Sequence, residues 1–332
     1  MEKIVLIREA KREDCQEICN LIQELADYEE MPDGPKIDSQ VLEKDGFGRT
    51  DPLFNCFVAI SDDKIVGYAL YFYIHSTLER GAIHLEDLYV TPEYRKKRVG
   101  SRLFEAIAQK TFRENLQYLE FSVLSWNPAQ DFYRAKGSID LTIIEGWHMY
   151  RVDEKFLNIS SQCKSDYYQI REARADDSPA IIRLAQNLFE SRKANGANPN
   201  VERSAQKDFQ VKPKDFLNRY FVVEQNNEVK GYALYCLAYS TWEGKSMYLQ
   251  ELFVSSDAQD ASHMKKGLFS AVAQKARDEM CCRIDFWIHD PKTEGEFFKV
   301  NGAQDLTESE EWHLYRLSEL PKNSTCQITP CV

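Results

Sequence analysis

The sequence has no hydrophobic run long enough to cross a membrane or to act as a secretory signal. Near its start the chain has only four consecutive apolar residues, Ile4 to Ile7, whereas a signal-peptide core needs about 7–15 and a membrane-spanning helix about 20. The nine cysteines are odd in number and include no C-x-x-C pair. This usage excludes a disulfide framework and is typical of a reducing compartment. We therefore expect a cytoplasmic protein.

Positive charge is outnumbered by negative charge, since the chain has 42 Lys and Arg residues and 53 Asp and Glu residues, a formal net charge of −11. Residues 1–160 hold 20 of the basic and 28 of the acidic residues, so the first half is the more acidic one. An acidic surface repels nucleic acid and anionic membranes but suits a cationic ligand. The six histidines lack the spacing of metal ligands. We expect no binding of nucleic acid, membrane or metal.

A long internal repeat is present in the chain. A repeat of this length indicates a duplicated domain, because solenoid units recur every 20–50 residues or so. We predict a first domain at residues 1–157, a linker at 158–166, a second domain at 167–318 and a tail at 319–332. Four segments recur in order, shifted by 163 to 165 residues: Arg8–Ala10 as Arg171–Ala173, Gly67–Tyr71 as Gly231–Tyr235, Phe104–Lys110 as Phe269–Lys275, and Trp147–Arg151 as Trp312–Arg316.

Each copy shows the alternation of strand and helix patterns that predicts a mixed α/β fold. The order is β-α-β-β-β-α-β-α-β, a mixed sheet with helices on its faces. In the first copy we predict strands at 4–8, 54–60, 65–74, 84–90, 118–124 and 147–152, and helices at 14–28, 101–114 and 128–136.

A basic turn, Arg95 to Arg98, lies between a predicted strand and a predicted helix. The first N–H groups of a helix have no intrahelical acceptor, and the positive end of the helix dipole faces the preceding loop. Such a junction is an anion site that suits a pyrophosphate. Taken alone, the same four residues would be a solvated basic turn.

The segment from Leu85 to Ser101 resembles the core of the Gcn5-related N-acetyltransferases (GNAT), with their Arg/Gln-x-x-Gly-x-Gly/Ala signature. Within that superfamily, residues 1–155 resemble the diamine acetyltransferases, which include spermidine/spermine and thialysine acetyltransferases. The resemblance implies two tandem GNAT folds, acetyl-CoA as co-substrate and a small primary amine as acceptor. Ser76-Thr77 is more similar to the thialysine branch. The matching pieces are Leu25–Glu29, Asp45–Gly48, Leu85–Asp87, Trp126-Asn127, Phe132-Tyr133, Asp140-Leu141 and Glu145–Trp147.

The resemblance also implies roles for individual residues. Glu86 would assist deprotonation of the amine and Tyr133 would protonate the departing thiolate, although by themselves a Glu-Asp pair on a strand and a Tyr on a helix are more often structural. Arg98 stands where the family has glycine. The acceptor would contact Tyr28, Glu29, Glu86, Asp87 and Trp147. Acetyl-CoA would be held by Leu88, Tyr89, Val90, Arg95, Lys96, Lys97, Arg98, Val99, Gly100, Ser101, Asn127 and Tyr133.

The second copy lacks these residues while keeping the apolar pattern. Gln250 stands in place of Glu86 and Phe298 in place of Tyr133, and the turn carries Asp257 and Asp260, which would repel phosphate. We therefore expect an intramolecular pseudo-dimer with one active site. A non-catalytic binding or scaffold protein and a protein lysine acetyltransferase remain as alternatives.

Overall fold

The structure is a computed structural model that describes residues 5–78, 81–157, 167–194 and 220–320. The linker predicted at 158–166 and most of the predicted tail, 321–332, lie outside these residues. Among the residues described, no helix is long and apolar enough to cross a membrane.

The first half contains seven strands and six α-helices among its described residues. Most of the predicted elements are found within a few residues of their expected bounds. In chain order they are β1 (Leu6–Glu9), α1 (Cys15–Tyr28), α2 (Ser39–Phe47), β2 (Asn55–Ser61), β3 (Lys64–Ile74), β4 (Ala82–Val90), α3 (Val99–Arg113), β5 (Leu119–Leu124), α4 (Ala129–Ala135), β6 (Ile139–Asp140), α5 (Leu141–Glu145), β7 (His148–Asp153) and α6 (Glu154–Leu157).

Helix α2 was not predicted from the sequence. It buries only Leu42, so it shows no apolar stripe. Its start is set by a side chain, because the Asp38 carboxylate accepts from the N–H groups of Gln40 and Val41 at 3.0 and 2.9 Å. Such a cap satisfies the free donors of the first turn.

The second half repeats the arrangement of the first. Its described elements are β8 (Gln169–Glu172), α7 (Ser178–Ala194), β9 (Tyr220–Gln225), β10 (Glu228–Ser240), β11 (Gly244–Val254), α8 (Ala261–Asp278), β12 (Arg283–Ile288), α9 (Pro291–Val300), β13 (Gln304–Asp305), α10 (Leu306–Glu310) and β14 (Trp312–Leu317).

The two halves exchange their last long strands. The described strands form two seven-stranded sheets, ordered β1-β2-β3-β4-β5-β14-β6 and β13-β7-β12-β11-β10-β9-β8. Strand β7 pairs antiparallel with β12, from His148 opposite Ile288 to Asp153 opposite Arg283. Strand β14 pairs with β5 in the same way. Each sheet therefore contains strands from both halves, and the mixed α/β class predicted from the sequence is confirmed.

An apolar cluster shared by both halves lies where the two sheets meet. It buries Phe72 and Met149 against Tyr248, Trp287 and Leu314. Each sheet also packs a long helix, α3 or α8, against one face, within a separate core. Because burial of apolar surface is the dominant stabilising contribution in folding, this cluster stabilises the contact between the halves.

Strands β4 and β5 pair over only part of their length. Their parallel ladder joins residues 83–85 to 119–121, whereas β4 continues to Val90 and β5 to Leu124. Beyond the ladder a cleft opens between them. At its start, β3 places Leu70 opposite Asp87 and Tyr71 opposite Leu85, so Glu86 is the extra residue of a β-bulge. Bulges of this kind redirect side chains next to functional sites.

The strand exchange predicts that residues 1–157 do not form a stable monomer. This fragment keeps β7 but lacks β12, the strand that β7 pairs with, and it leaves the edge of β5 without β14. Unpaired edges recruit other chains, so two fragments should exchange β7 reciprocally. We expect sedimentation velocity to show a dimer or aggregates, with the full chain as reference. A stable monomer with β7 folded back onto its own β5 would contradict this expectation.

Candidate functional site

The cleft between β4 and β5 opens into a cavity of about 160 Å³ that both halves line. Of the residues singled out from the sequence, the structure brings together Glu29, Glu86, Asp87, Leu88, Asn127 and Tyr133 here. The second half adds walls that sequence reasoning missed, among them Thr241, Trp242, Arg283, Trp287 and Trp312.

Glu86 lies at the bulge with one fifth of its side chain exposed. One carboxylate oxygen is 3.8 Å from an Arg283 guanidinium nitrogen, and the other is 3.9 Å from His84 Nε2. Burial raises the pKa of Glu86 to about 7, because the charge of Arg283 offsets only part of the desolvation and Asp87 adds to the rise. Glu86 therefore titrates in the range that suits a general base.

Asp87 connects the two halves. Its carboxylate accepts a hydrogen bond from Tyr68 at 2.7 Å and another from Thr241 of the second half. The second half repeats this arrangement, because Glu251 accepts from Tyr232 at 2.6 Å and from Thr77 of the first half. Thr77 of the sequence pair Ser76-Thr77 thus anchors the opposite copy. Burial raises the pKa of Asp87 despite these bonds.

Glu29 follows directly on α1 and its N–H group caps that helix by donating to the Leu25 carbonyl at 2.9 Å. Burial raises its pKa to about 8, and the charges of Asp87 and Glu86 add to the rise. Three carboxyl groups that share a cavity make an environment that favours an ammonium group.

Tyr133 lies on α4 and is almost completely buried. Its ring contacts Phe121 and Phe104, with centroids at 4.3 and 5.5 Å. Burial raises the pKa of Tyr133 above its usual value, and Asp87 and Glu29 add to the rise. The hydroxyl therefore keeps its proton until a strong base develops beside it.

The turn before α3 contains two residues in the left-handed backbone conformation. Arg98 precedes the helix with φ of 63°, and Lys96 has φ of 61°. These left-handed conformations favour glycine and cost another residue about 1–2 kcal/mol. Arg98 thus adopts a conformation that favours glycine, at the position where the signature that the sequence resembles has glycine. The first turn of α3, with Val99, Gly100 and Ser101, follows without a side-chain cap.

Several predicted residues do not line the cavity that Glu86 lines, among them Tyr28, Tyr89, Arg95 and Lys97. The Arg95 Nε donates to the Val90 carbonyl at 2.9 Å, and its guanidinium lies 4.8 Å from the ring centre of Tyr28 and 5.3 Å from that of Tyr89. Lys97 lies over Tyr94. Tyr28 therefore does not line the cavity with Glu86.

Trp147 is placed away from the cavity as well. Its ring lies 5.2 Å from that of His289 and beneath the Arg192 guanidinium. The strand exchange is the physical reason, because it carries the end of the first half to the second sheet and brings Trp312 to the cavity in its place. The repeat of Trp147–Arg151 as Trp312–Arg316 was the only sequence signal for this contribution.

The corresponding place in the second half is smaller and lacks these groups. Gln250 borders two small cavities there, of about 40 and 70 Å³. Gln250 donates to the His75 carbonyl, and the Phe298 ring packs against Phe286 with centroids at 4.8 Å. Asp260 precedes α8 with φ of 65°, so the turn keeps part of its shape while its charge is reversed. This half has neither a carboxylate nor a hydroxyl at the two positions.

Comparison with known proteins identifies the family of the first half. The model of the acetyltransferase (GNAT) family matches residues 14–137. A thialysine N-epsilon-acetyltransferase of Bos taurus is 42% identical over 158 residues, which cover 45% of this chain and 92% of that protein. The spermidine/spermine N(1)-acetyltransferase-like protein 1 of Homo sapiens is 34% identical over 159 residues, 46% of this chain and 23% of that protein.

Among solved structures, a tandem GNAT protein from the clavulanic acid biosynthesis pathway superposes with a TM-score of 0.51 at 10% identity. The match covers 96% of this chain and all of that one. A GCN5-related N-acetyltransferase from Sphaerobacter thermophilus has the same score at 12% identity, with 98% of both chains covered. At such identities the likeness shows the fold, here over both halves. The chain therefore belongs to the GNAT acetyltransferase family, as a tandem, diamine acetyltransferase-like member.

Proposed function

We propose that the first half transfers the acetyl group of acetyl-CoA to a primary amine of a small molecule, either a diamine or polyamine or a thialysine-like amino acid. The observation that carries this proposal is the placement of Glu86 and Tyr133 in one cavity, where the cleft between β4 and β5 opens. They are a base with a pKa near neutrality and an acid that keeps its proton. The thialysine acetyltransferase relatives support the acceptor class.

The reaction removes two protons from the ammonium nitrogen and adds one to the sulfur. Glu86 accepts the first proton, directly or through water, and the neutral amine nitrogen then forms a bond to the thioester carbonyl carbon. As the carbon–sulfur bond breaks, Tyr133 donates its proton to the departing thiolate, and the second nitrogen proton returns through water to the Tyr133 oxygen. Glu86 then releases its proton to solvent. The products are the neutral amide, the free thiol and one proton, so charge and protons balance. General acid–base groups of this kind typically contribute 10²–10⁴-fold or so.

The turn before α3 is the proposed place for the pyrophosphate of acetyl-CoA. The N–H groups of Val99, Gly100 and Ser101 begin the helix, where an anion is favoured. Lys96 and Arg98 add exposed positive charge. Beyond Leu85, β4 has no ladder to β5, so its backbone groups face the cleft. Asn127 lines the cavity at the end of β5.

The acceptor pocket combines negative charge with aromatic walls. Glu29, Glu86 and Asp87 suit the amine, while Trp242 and Trp312 suit an alkyl chain or contact the cation through their rings. Because the second half supplies these tryptophans, we propose that the two halves act as an intramolecular pair with one active site. The enclosure by two halves favours a small acceptor over a lysine within a folded protein.

An amine panel tests the proposal. Purified full-length protein with acetyl-CoA should release free thiol in the presence of diamines, polyamines or thialysine-like amino acids, and mass spectrometry should find the monoacetylated amine. The double variant Glu86→Gln/Tyr133→Phe, which installs the residues of the second half, is the control and should be inactive. Binding of acetyl-CoA without turnover of any amine would identify a non-catalytic protein, and acetylation of lysine peptides alone would identify another acceptor class.

Tyr133→Phe should lower kcat by roughly 10²–10⁴-fold, the usual range for a general acid, and leave the affinity for acetyl-CoA unchanged. The ring packing against Phe121 is retained, so only the proton donor is lost. Stopped-time assays measure kcat, and calorimetry measures the affinity for acetyl-CoA. Tyr315→Phe is the matched control, because it removes a nearby buried hydroxyl that donates to Gln130 at 2.9 Å. An unchanged kcat for Tyr133→Phe would show that this tyrosine only packs.

Glu86→Gln should change the pH dependence of kcat/KM. With Glu86 present, activity should rise as this group ionises near pH 7, following its pKa of about 7. Without it the amine must lose its proton unaided, so activity should keep rising at higher pH. Glu105→Gln is the control, since Glu105 is a buried carboxylate that pairs with Lys136 at 2.8 Å outside the cavity. If the pH profile of kcat/KM in Glu86→Gln is identical to that of the wild type, Glu86 is not the general base.

A further inference from the structure

Arg283 is a buried arginine of the second half that lies among three carboxylates. It begins β12, and its Nε donates to Asp285 at 2.7 Å. One terminal nitrogen donates to Glu243 at 3.3 Å, and the other lies 3.8 Å from a Glu86 oxygen. Asp285 is in turn bound by Arg151 at 2.6 Å. The guanidinium is therefore held in place by groups other than Glu86.

The two halves differ at the position of Arg283. The second half has an arginine there, next to Glu86, and the first half has a tyrosine at the corresponding position. In the second half Ile284 pairs with Met247, and in the first half Leu119 pairs with Ile83 at the same place in the sheet. Because Arg283 directly precedes Ile284 and Tyr118 directly precedes Leu119, Arg283 corresponds to Tyr118. Tyr118 lines the cavity of about 70 Å³ that Gln250 borders, together with Arg316, whose guanidinium lies 3.9 Å from the centre of the Tyr118 ring. The interface between the halves therefore contains two corresponding sites. One places Tyr118 near the neutral Gln250, and the other places Arg283 near the ionisable Glu86. The fold alone does not require the arginine.

We propose that Arg283 is a positioning residue that holds the Glu86 carboxylate ionised and oriented toward the acceptor. The inference rests on the proposed function, in which Glu86 is the base. It gives the second half a direct part in the chemistry of the first, although that half has no base or acid of its own.

The charges around Glu86 make Arg283 the main favourable partner. Burial and the neighbouring carboxylates Asp87 and Asp285 favour the protonated form of Glu86, whereas Arg283 and His84 favour the ionised form. His84 also contacts a second carboxylate, because its Nδ1 lies 3.4 Å from an oxygen of Glu120. The other charged groups that line or border the cavity from adjacent elements are Glu29, Glu243, Arg151 and Glu310.

Loss of Arg283 should therefore raise the pKa of Glu86. An opposite charge within about 4–6 Å lowers a carboxyl pKa by about 1–3 units. We expect Arg283→Gln to raise the Glu86 pKa by at least about one unit and to lower kcat/KM at pH 7 by roughly fivefold or more, with recovery at higher pH. Arg283→Lys keeps the charge and should restore most of both.

The test titrates Glu86 directly and then measures activity. Protein labelled with ¹³C at the glutamate carboxyl carbons is titrated by NMR, and the Glu86 signal is identified by its absence in Glu86→Gln. The pH profile of kcat/KM is recorded for the same variants. Arg171→Gln is the matched control, because Arg171 pairs with Asp177 and Glu224 in the second half, outside the cavity. It should leave the Glu86 titration and the pH profile unchanged.

Arg283→Gln leaves Glu243 without its arginine partner. If this variant does not fold for that reason, the double variant Arg283→Gln/Glu243→Gln removes that carboxylate as well and is then used for the same titration. An unchanged Glu86 pKa in a folded variant without Arg283 overturns the inference. An equal shift in Arg283→Lys overturns it too, because the effect would then not be one of charge. The NMR titration needs no turnover, so failure of this inference is distinct from failure of the proposed function, which the amine panel reports.

Discussion

The exchange of β7 and β14 between the two sheets is the constraint on which the rest of the structure depends. Each of these strands leaves its own half and fills a place beside the last parallel strand of the other. Strand β7 carries Arg151, whose Nε donates to the Asp285 carboxylate at 2.6 Å. Strand β14 carries Arg316, whose guanidinium donates to the Glu120 carboxylate at 3.2 Å. Buried charges of this kind require partners, so each exchanged strand carries the counter-charge that its new sheet needs.

Reciprocal hydrogen bonds between the halves make each half necessary to the fold of the other. The contacts that join the halves are reciprocal: Thr241 binds Asp87, and Thr77 binds Glu251. Removing either half would leave a buried carboxylate of the other without its donor, which is costly. At the positions that correspond to Glu86 and Tyr133, the second half has Gln250, which donates to the His75 carbonyl of the first half, and Phe298, which packs against Phe286. These uncharged residues preserve the packing of the second half without an ionisable group.

Burial at the junction of the halves gives the site its chemical character. A carboxyl group on an open strand would ionise well below neutrality, whereas Glu86 and Glu29 lie where the second half excludes water, and their pKa values rise to about 7 and about 8. Trp242 and Trp312 contribute to that exclusion. A fold with one half alone would present the same carboxylates to solvent and hold them as weaker bases.

The sequence by itself determined the duplication and most of the strands and helices, because these follow from local periodicity and from one half compared with the other. The roles expected for Glu86 and Tyr133 came from the resemblance to the GNAT family. The tertiary structure alone decided where the strands 148–153 and 312–317 pair. Both copies carry the same pattern, Trp147–Arg151 and Trp312–Arg316, so either edge accepts either strand, and only the packing of whole sheets distinguishes them. That choice moved Trp147 away from the cavity and brought Trp312 to it, while the same assembly placed Arg283 beside Glu86. Contacts between residues so far apart in the chain leave no local trace in the sequence.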